Sequence, residues 1–253
     1  MTIRTESVSF TGSLGYTIAG KIDFPSHRSR AFGIFTHCFT CTMETHAARR
    51  ISQALASLGF AMLRFDQTGL GKSEGLFEET NFQTNIKDIL MAAQFLEQTH
   101  ESPRLMIGHS LGGAATLFAA PDISSVKAVV TINAPCDPAH VRHHFEKQVQ
   151  EICEKGEAPI LVSGRPFKLQ RHFIDALSEK RTDERLAQLK AALLVCHTPS
   201  DAIVKVEQAA HIFVAAKHPK SFLSLDDADH LISRKEDSDY IARVIDAWAS
   251  KYV

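Results

Sequence analysis

The 253-residue sequence has no stretch approaching the ~20 uninterrupted apolar residues of a bilayer-spanning helix, which excludes a helical membrane protein. Its opening residues, MTIRTESVSF, lack the basic-then-apolar layout of a secretory leader, so a cytoplasmic location is expected. No charge of one sign dominates: 28 Lys and Arg against 29 Asp and Glu leave a net charge of −1. That balance cannot neutralise a run of phosphates or hold an anionic bilayer, so neither nucleic acid nor membrane is expected as a partner. Cysteine is scarce and odd in number. The five, at 38, 41, 136, 153 and 196, are scattered over a mid-sized chain and predict reduced thiols rather than a disulfide framework. Internal repeats, low-complexity tracts and long linkers are also missing, which excludes solenoid and linker-dominated architectures. What is present is 44% hydrophobic and 23% charged side chains, enough for one compact domain with a full core.

The apolar pattern gives that domain a rhythm. Two alternating or β-branched runs, 2–10 and 16–24, flank the turn-forming Thr11-Gly12-Ser13-Leu14-Gly15 and predict an opening hairpin. After a Pro/Ser/Arg stretch at 25–30, a buried-strand run at 31–36 leads through a loop into a helix-period segment with Ile51, Leu55 and Leu58, ending at Gly59. The unit recurs, with strands at 60–65, 104–108 and 126–132 and helices at 85–99 and 111–120. It breaks at about 134–190, where polar helical stretches flank an extended excursion at 158–169 that looks like a small hairpin. It then resumes with a strand at 191–196, a helix at 206–216, a strand at 221–225 and a terminal helix to about Lys251. Short apolar runs alternating with helices are the pattern of a mostly parallel, twisted sheet covered by helices on both faces. The expectation is a single α/β domain over 1–253 with a cap inserted at about 134–190.

One motif within this frame is specific. Leu105-Met106-Ile107-Gly108-His109-Ser110-Leu111-Gly112-Gly113 sets Gly-x-Ser-x-Gly directly after an apolar strand and directly before a helix. So tight a turn strains the serine backbone and favours glycine at 108 and 112, where side chains would collide. Ser110 is thereby presented at the carboxyl edge of the sheet as a nucleophile. The helix starting at Leu111 directs free N–H groups and the positive end of its dipole at the place where negative charge develops during acyl transfer.

A serine hydroxyl needs a neutral imidazole to take its proton, and the imidazole needs a carboxylate on its other nitrogen to fix its tautomer. Of thirteen histidines, His230 follows the last predicted strand in Phe222-Leu223-Ser224-Leu225-Asp226-Asp227-Ala228-Asp229-His230, on the sheet edge that carries Ser110. His109, beside the nucleophile, can at most line the pocket, whereas His140, His143 and His144 of the insertion read as surface or packing residues. Asp201, in the loop after the strand Leu193-Leu194-Val195-Cys196, is the favoured acid. Asp226, Asp227 and Asp229 are its rivals, although their loop ties them more readily to bracing His230.

A tetrahedral intermediate also needs two backbone donors. The N–H of Leu111 supplies one, and the N–H of Phe39, in the loop His37-Cys38-Phe39-Thr40-Cys41, is favoured for the other. Cys38 and Cys41 form a lone C-x-x-C. A structural zinc site needs four ligands, and no second Cys pair or H-x-x-x-H spacing accompanies this one, so no metal is expected. A packing role for two small buried thiols is the expectation.

With these residues placed, the chain resembles the α/β-hydrolase superfamily over nearly its whole length. Asp66-Gln67-Thr68-Gly69-Leu70-Gly71-Lys72-Ser73-Glu74-Gly75 is similar to the D-x-x-G-x-G-x-S loop of that superfamily, a structural feature. More narrowly, His37-Cys38-Phe39-Thr40-Cys41, Arg64-Phe65-Asp66, the elbow, Gly164-Arg165-Pro166-Phe167 and His218-Pro219-Lys220-Ser221-Phe222 resemble the hydrolase half of bacterial proteins that join an α/β-hydrolase to an OsmC-like domain. Many superfamily members carry His-Gly where this chain has His37-Cys38. The sequence ends at Lys251-Tyr252-Val253 without an OsmC-like half, so the peroxide or thiol chemistry of such a partner is not expected of it.

The resemblance implies a serine esterase acting on short or medium acyl esters through an acyl-enzyme, with no organic cofactor. A serine at the elbow speaks against dehalogenase and epoxide hydrolase chemistry, which in this superfamily uses an elbow aspartate. Substrate choice is expected to lie with the insertion, where Phe167 and Phe173, with Ile174, join Phe39 and His109 as candidates for lining the pocket or forming ordinary cap core. Two other readings stay open: thioester or amide cleavage or acyl transfer on the same triad, and a non-catalytic module that docks with a separate OsmC-like protein. A homo-oligomer is also compatible with the fold.

Overall fold

The structure, a computed structural model, describes residues 3–178 and 182–253. Residue 2 of the expected first strand and residues 179–181 of the expected insertion lie outside the described residues.

An eight-stranded sheet runs through the molecule. Its strands are β1 (Arg4–Thr11), β2 (Thr17–Phe24), β3 (Ala31–Thr36), β4 (Phe60–Phe65), β5 (Leu105–His109), β6 (Ala128–Ile132), β9 (Ala192–His197) and β10 (Lys220–Ser224), in the order β1-β2-β4-β3-β5-β6-β9-β10. β1 and β2 form the expected antiparallel hairpin, β2 runs antiparallel to β4, and every later pairing is parallel. The central strands β3, β4, β5, β6 and β9 are buried at every position, as continuous apolar runs require in a sheet covered twice.

The two covers are distinct cores. On one face α2 (Phe82–Thr99), α3 (Leu111–Ala119) and α7 (Val206–Ala215) bury residues such as Ile89, Leu117 and Ile212 against Ile34, Met106 and Leu193. On the other, α1 (His46–Ser57) and α8 (Lys235–Ala249) bury Ile51, Leu55, Ile241 and Ile245 against Phe35, Ile107 and Val130. Helix α2 begins three residues before the apolar period becomes visible, because Asn81 caps it: its side chain accepts the Thr84 N–H at 3.0 Å, and Thr84 Oγ1 accepts the Asn81 N–H at 2.8 Å.

Between β6 and β9 the chain forms a 3₁₀ stretch (Pro138–His144), α4 (Glu146–Lys155), an antiparallel hairpin of β7 (Glu157–Val162) and β8 (Arg165–Gln170), α5 (Arg171–Ser178) and α6 (Thr182–Gln188). The hairpin turns at Ser163 and Gly164, both with positive φ, as a two-residue turn requires. Helix α6 lies against the sheet's own cover, since the Arg185 guanidinium donates to the carbonyl of Phe118 at the end of α3. It is the crossover that two neighbouring parallel strands need.

Parallel strands put their carboxyl ends on one edge, where ligands of open α/β sheets bind. The loops after β3, β5, β9 and β10 therefore meet, and they carry Phe39, Ser110, Asp201 and His230 respectively. The loop after β4 supports them from behind. Buried Asp66 accepts the N–H of Met43 at 2.7 Å and of Lys72 at 2.8 Å. Gly71 leaves room for that carboxylate, which a Cβ there would approach to 2.1 Å.

Candidate active site

Ser110 sits between β5 and α3 with φ 53° and ψ −127°, a conformation that costs a non-glycine residue about 1–3 kcal/mol and persists only where the surroundings enforce it. They do so by close approach. A Cβ on Gly108 would lie 2.4 Å from the Gly112 carbonyl oxygen, and a Cβ on Gly112 would lie 2.2 Å from the His37 carbonyl oxygen. The second contact is not between the two glycines. It is where the loop after β3 crosses the start of α3.

His230 Nε2 stands 3.1 Å from Ser110 Oγ, and His230 Nδ1 stands 2.7 Å from Asp201 Oδ2. In the tautomer this order demands, Nδ1–H donates to the carboxylate and Nε2 accepts from the hydroxyl. The other oxygen, Asp201 Oδ1, accepts the N–H groups of Ile203 at 2.8 Å and Val204 at 3.0 Å. Burial pushes the Asp201 carboxyl up, but the His230 hydrogen bond and those two backbone donors outweigh it and hold it below its ordinary value. Asp201 is thus an anion oriented on all sides. The rival carboxylates are engaged elsewhere: Asp226 with the Ser224 hydroxyl, Asp227 with Arg234, and Asp229 with the Ser233 N–H.

The loop after β3 is the tightest part of the site. Cys38 and Cys41 are joined by a disulfide, with Cα atoms 5.3 Å apart. This corrects the expectation of two packed thiols. The intervening turn, with Thr40 at φ 55°, brings the two Cα atoms within bridging range, which a scattered cysteine count does not reveal. The same turn is closed by Cys41 N–H donating to Cys38 O at 3.1 Å, and His37 Nδ1 donates to that oxygen at 2.8 Å. Because a trans peptide holds its N–H opposite its carbonyl, these bonds also fix the direction of the Phe39 N–H. His37 Nε2 accepts the Gln67 N–H at 3.3 Å, and burial keeps the ring neutral by lowering its pKa. Among the described residues the N–H groups of Phe39 and Leu111 donate to no other group, so both remain available.

Residues 34–156 match the family described as serine aminopeptidase, S33. The esterase domain of a Rhodothermus marinus protein is 43% identical, covers 100% of this chain and 99% of its own, and superposes with a TM-score of 0.80. The chain belongs to the α/β-hydrolase family. A palmitoyl-protein thioesterase, ABHD10 of Mus musculus mitochondria, is 33% identical over 130 residues, which are 49% of this chain and 42% of that protein. The chain therefore matches less than half the length of that relative. The mouse protein's structure shares the fold at a TM-score of 0.78 and 24% identity, covering 97% of this chain and 99% of that one.

Around the hydrolase centre the expected pocket residues divide. The partly open cleft beside Ser110 has about 10 Å³ of room, roughly one water, and its lining includes Phe39, Leu111, Val141, His143 and His144. His109, Phe167 and Phe173 do not line it. His109 is buried, and its Nε2 donates to the His230 carbonyl at 2.7 Å. Burial, followed by the neighbouring His230, lowers its pKa to about 3, so the ring is neutral. Phe173 packs against Phe39 with ring centres 5.7 Å apart, and Phe167 packs against Phe77 at 4.8 Å, one layer further out.

Three further residues belong to the site, and one of them, His144, departs together with His140 and His143 from the expected surface or packing role by lining the space beside Ser110. His144 stacks on Phe39 at 5.9 Å. Arg165 donates to the Thr40 carbonyl and so holds the hairpin against the disulfide turn. Asn133, fully buried, reaches the His230 loop. A polar residue directly after the buried run Ala128–Ile132, on the carboxyl edge, was the available signal for Asn133. Arg165 stands in the Gly164-Arg165-Pro166-Phe167 segment that carries the family resemblance, and for His144 the signal lay in tertiary contact alone.

Proposed function

We propose that this α/β-hydrolase is a serine esterase that cleaves short or medium acyl esters through an acyl-enzyme. The observation that carries the reading is the chain of two hydrogen bonds, 3.1 Å and 2.7 Å, linking Ser110 Oγ, His230 and Asp201 at a strained strand-to-helix turn. Ser110 Oγ attacks the ester carbonyl while His230 Nε2 takes its proton, and Asp201 holds the resulting imidazolium. The oxyanion lies between the N–H groups of Leu111 and Phe39, both otherwise unused; donors of this kind are each worth about 10²–10³ in rate. His230 then returns the proton to the leaving alcohol. A water activated by the same imidazole releases the acid and restores Ser110.

The narrow cleft favours short acyl groups, because any acyl chain must displace the wall formed by His144 and Phe39 and a longer one must displace more of it. The part of the segment between β6 and β9 that precedes α6, and that carries His144, acts as the cap that chooses the substrate. Thioester cleavage is the second reading, supported by the match to the mouse thioesterase over 130 residues. The chemistry is the same, with a thiolate as leaving group.

Hydrolysis of p-nitrophenyl esters from acetate to laurate, comparing the wild type with Ser110→Ala, tests the proposal. Activity that peaks at the shorter chains and vanishes in the variant is expected. Activity that survives the substitution would overturn the assignment of Ser110. Faster turnover of acyl thioesters than of matched oxygen esters would select the second reading.

A further inference from the structure

Strand β6 carries no member of the Ser110, His230 and Asp201 set, yet its end touches all three of their loops. The Ile132 carbonyl accepts the N–H of Ser110 at 2.9 Å. One residue on, the Asn133 N–H donates to the Cys196 carbonyl at 3.0 Å, close to where β9 releases the acid loop. The Asn133 side chain completes the connection. Its Oδ1 accepts the Thr198 N–H at 2.9 Å in the acid loop, while its Nδ2 donates to the carbonyls of Asp229 at 3.3 Å and His230 at 3.1 Å. His109 adds a second donor to that same His230 carbonyl.

The choice of residue follows from this surrounding. The position is fully buried, so each backbone group facing it needs a protein partner. One N–H and two carbonyls converge there, and a primary amide offers one acceptor and two donors on a single short side chain. Aspartate has the shape but no donors when ionised, and leucine offers neither. The backbone at 133 is also left-handed, with φ 47°, a conformation that asparagine tolerates better than most residues.

We infer that Asn133 is a positioning residue for catalysis: its amide ties the acid loop to the histidine loop and so holds the His230 imidazole between Asp201 and Ser110. The inference rests on the serine-triad reading, because without that reaction there is no imidazole to place. Asn133 touches neither substrate nor reacting atoms. It acts through the two loops whose backbone it joins.

Asn133→Gly tests this while preserving the left-handed backbone, and Asn133→Ser is a milder second lesion. Active sites are counted by the endpoint of fluorophosphonate labelling, and kcat and KM for p-nitrophenyl butyrate are expressed per labelled site. Displacing a catalytic group by an ångström costs about 10²-fold, and a fall in kcat of that order is expected for Asn133→Gly, with KM little changed and a smaller fall for Asn133→Ser. A purely structural role would reduce the number of labelled sites and leave kcat per site at the wild-type value, which would overturn the inference. Loss of folding by both variants, read from their melting curves, would equally overturn it, because Asn133 would then hold the fold rather than the site. A wild type that neither labels nor turns over would instead defeat the triad reading, and the inference with it.

Discussion

Replacing Asp201 by asparagine changes one atom and should nearly abolish turnover. In the native site Oδ1 accepts two backbone N–H groups, from Ile203 and Val204, while Oδ2 accepts Nδ1–H of His230 at 2.7 Å. An asparagine must keep its oxygen toward the two N–H groups, since turning the amide over would set NH2 against them. Its NH2 therefore faces His230 Nδ1, which can accept that bond only by giving up its proton. The imidazole then carries its hydrogen on Nε2, pointed at Ser110, and cannot take the serine proton. A wrong tautomer at this position costs roughly 10⁴ in kcat, about 5 kcal/mol of transition-state stabilisation at about 1.36 kcal/mol per decade. The loop keeps its two backbone bonds, so the melting temperature should move little. Steady-state kinetics on p-nitrophenyl butyrate with a parallel thermal melt would show both. Turnover within tenfold of wild type in a normally folded variant would refute the reasoning and move the acid's role to Asp229 or its neighbours.

In Gly112→Ala the new methyl would meet the His37 and Thr36 carbonyl oxygens at 2.2 and 2.6 Å. The loop carrying the Phe39 N–H must shift, so a loss of about 1–3 kcal/mol in stability and up to 10²–10³ in kcat is expected, checked by denaturant unfolding and ester hydrolysis. His144→Ala should remove a wall of the cleft and move the chain-length optimum toward longer acyl groups, whereas an unchanged profile would show that His144 does not limit the site. Stability should fall on acidification. Burial lowers His109 to about 3 and His144 to about 4 from an ordinary 6.5, so the unfolded chain takes up protons that the folded one refuses. The stabilisation is fully present above pH 6.5 and is lost as pH falls through the folded values, and replacing both residues by Leu should flatten the unfolding free energy measured across that interval.

How much of this is legible in the sequence depends on the distance over which each signal acts. Buried parallel strands are continuous apolar runs, so the sheet could be read strand by strand, and the elbow lies within nine consecutive residues. The acid and histidine loops could be placed because parallel strands share one carboxyl edge. The starts of elements were less visible, as in α2, whose opening turn is set by the Asn81 cap rather than by apolar spacing. Contacts between remote segments left no local trace. The role of His109 reverses from pocket wall to brace because its ring turns toward the His230 carbonyl, whereas the Cys38–Cys41 pair was visible locally as a C-x-x-C and only its bonding, which depends on a left-handed Thr40, was not. Phe167 and Phe173 carry the apolar character expected of a pocket, but stand behind Phe39 and Phe77 rather than beside Ser110.

The most direct test of the account is to find where an acyl-like group becomes attached. Treating the protein with a fluorophosphonate and mapping the modified peptide by mass spectrometry should place one adduct on Ser110, in wild type and not in Ser110→Ala, with labelling slowed in Asp201→Asn. An adduct on another residue, or none on a folded protein, would contradict the assignment of Ser110 as the nucleophile and the serine esterase built upon it.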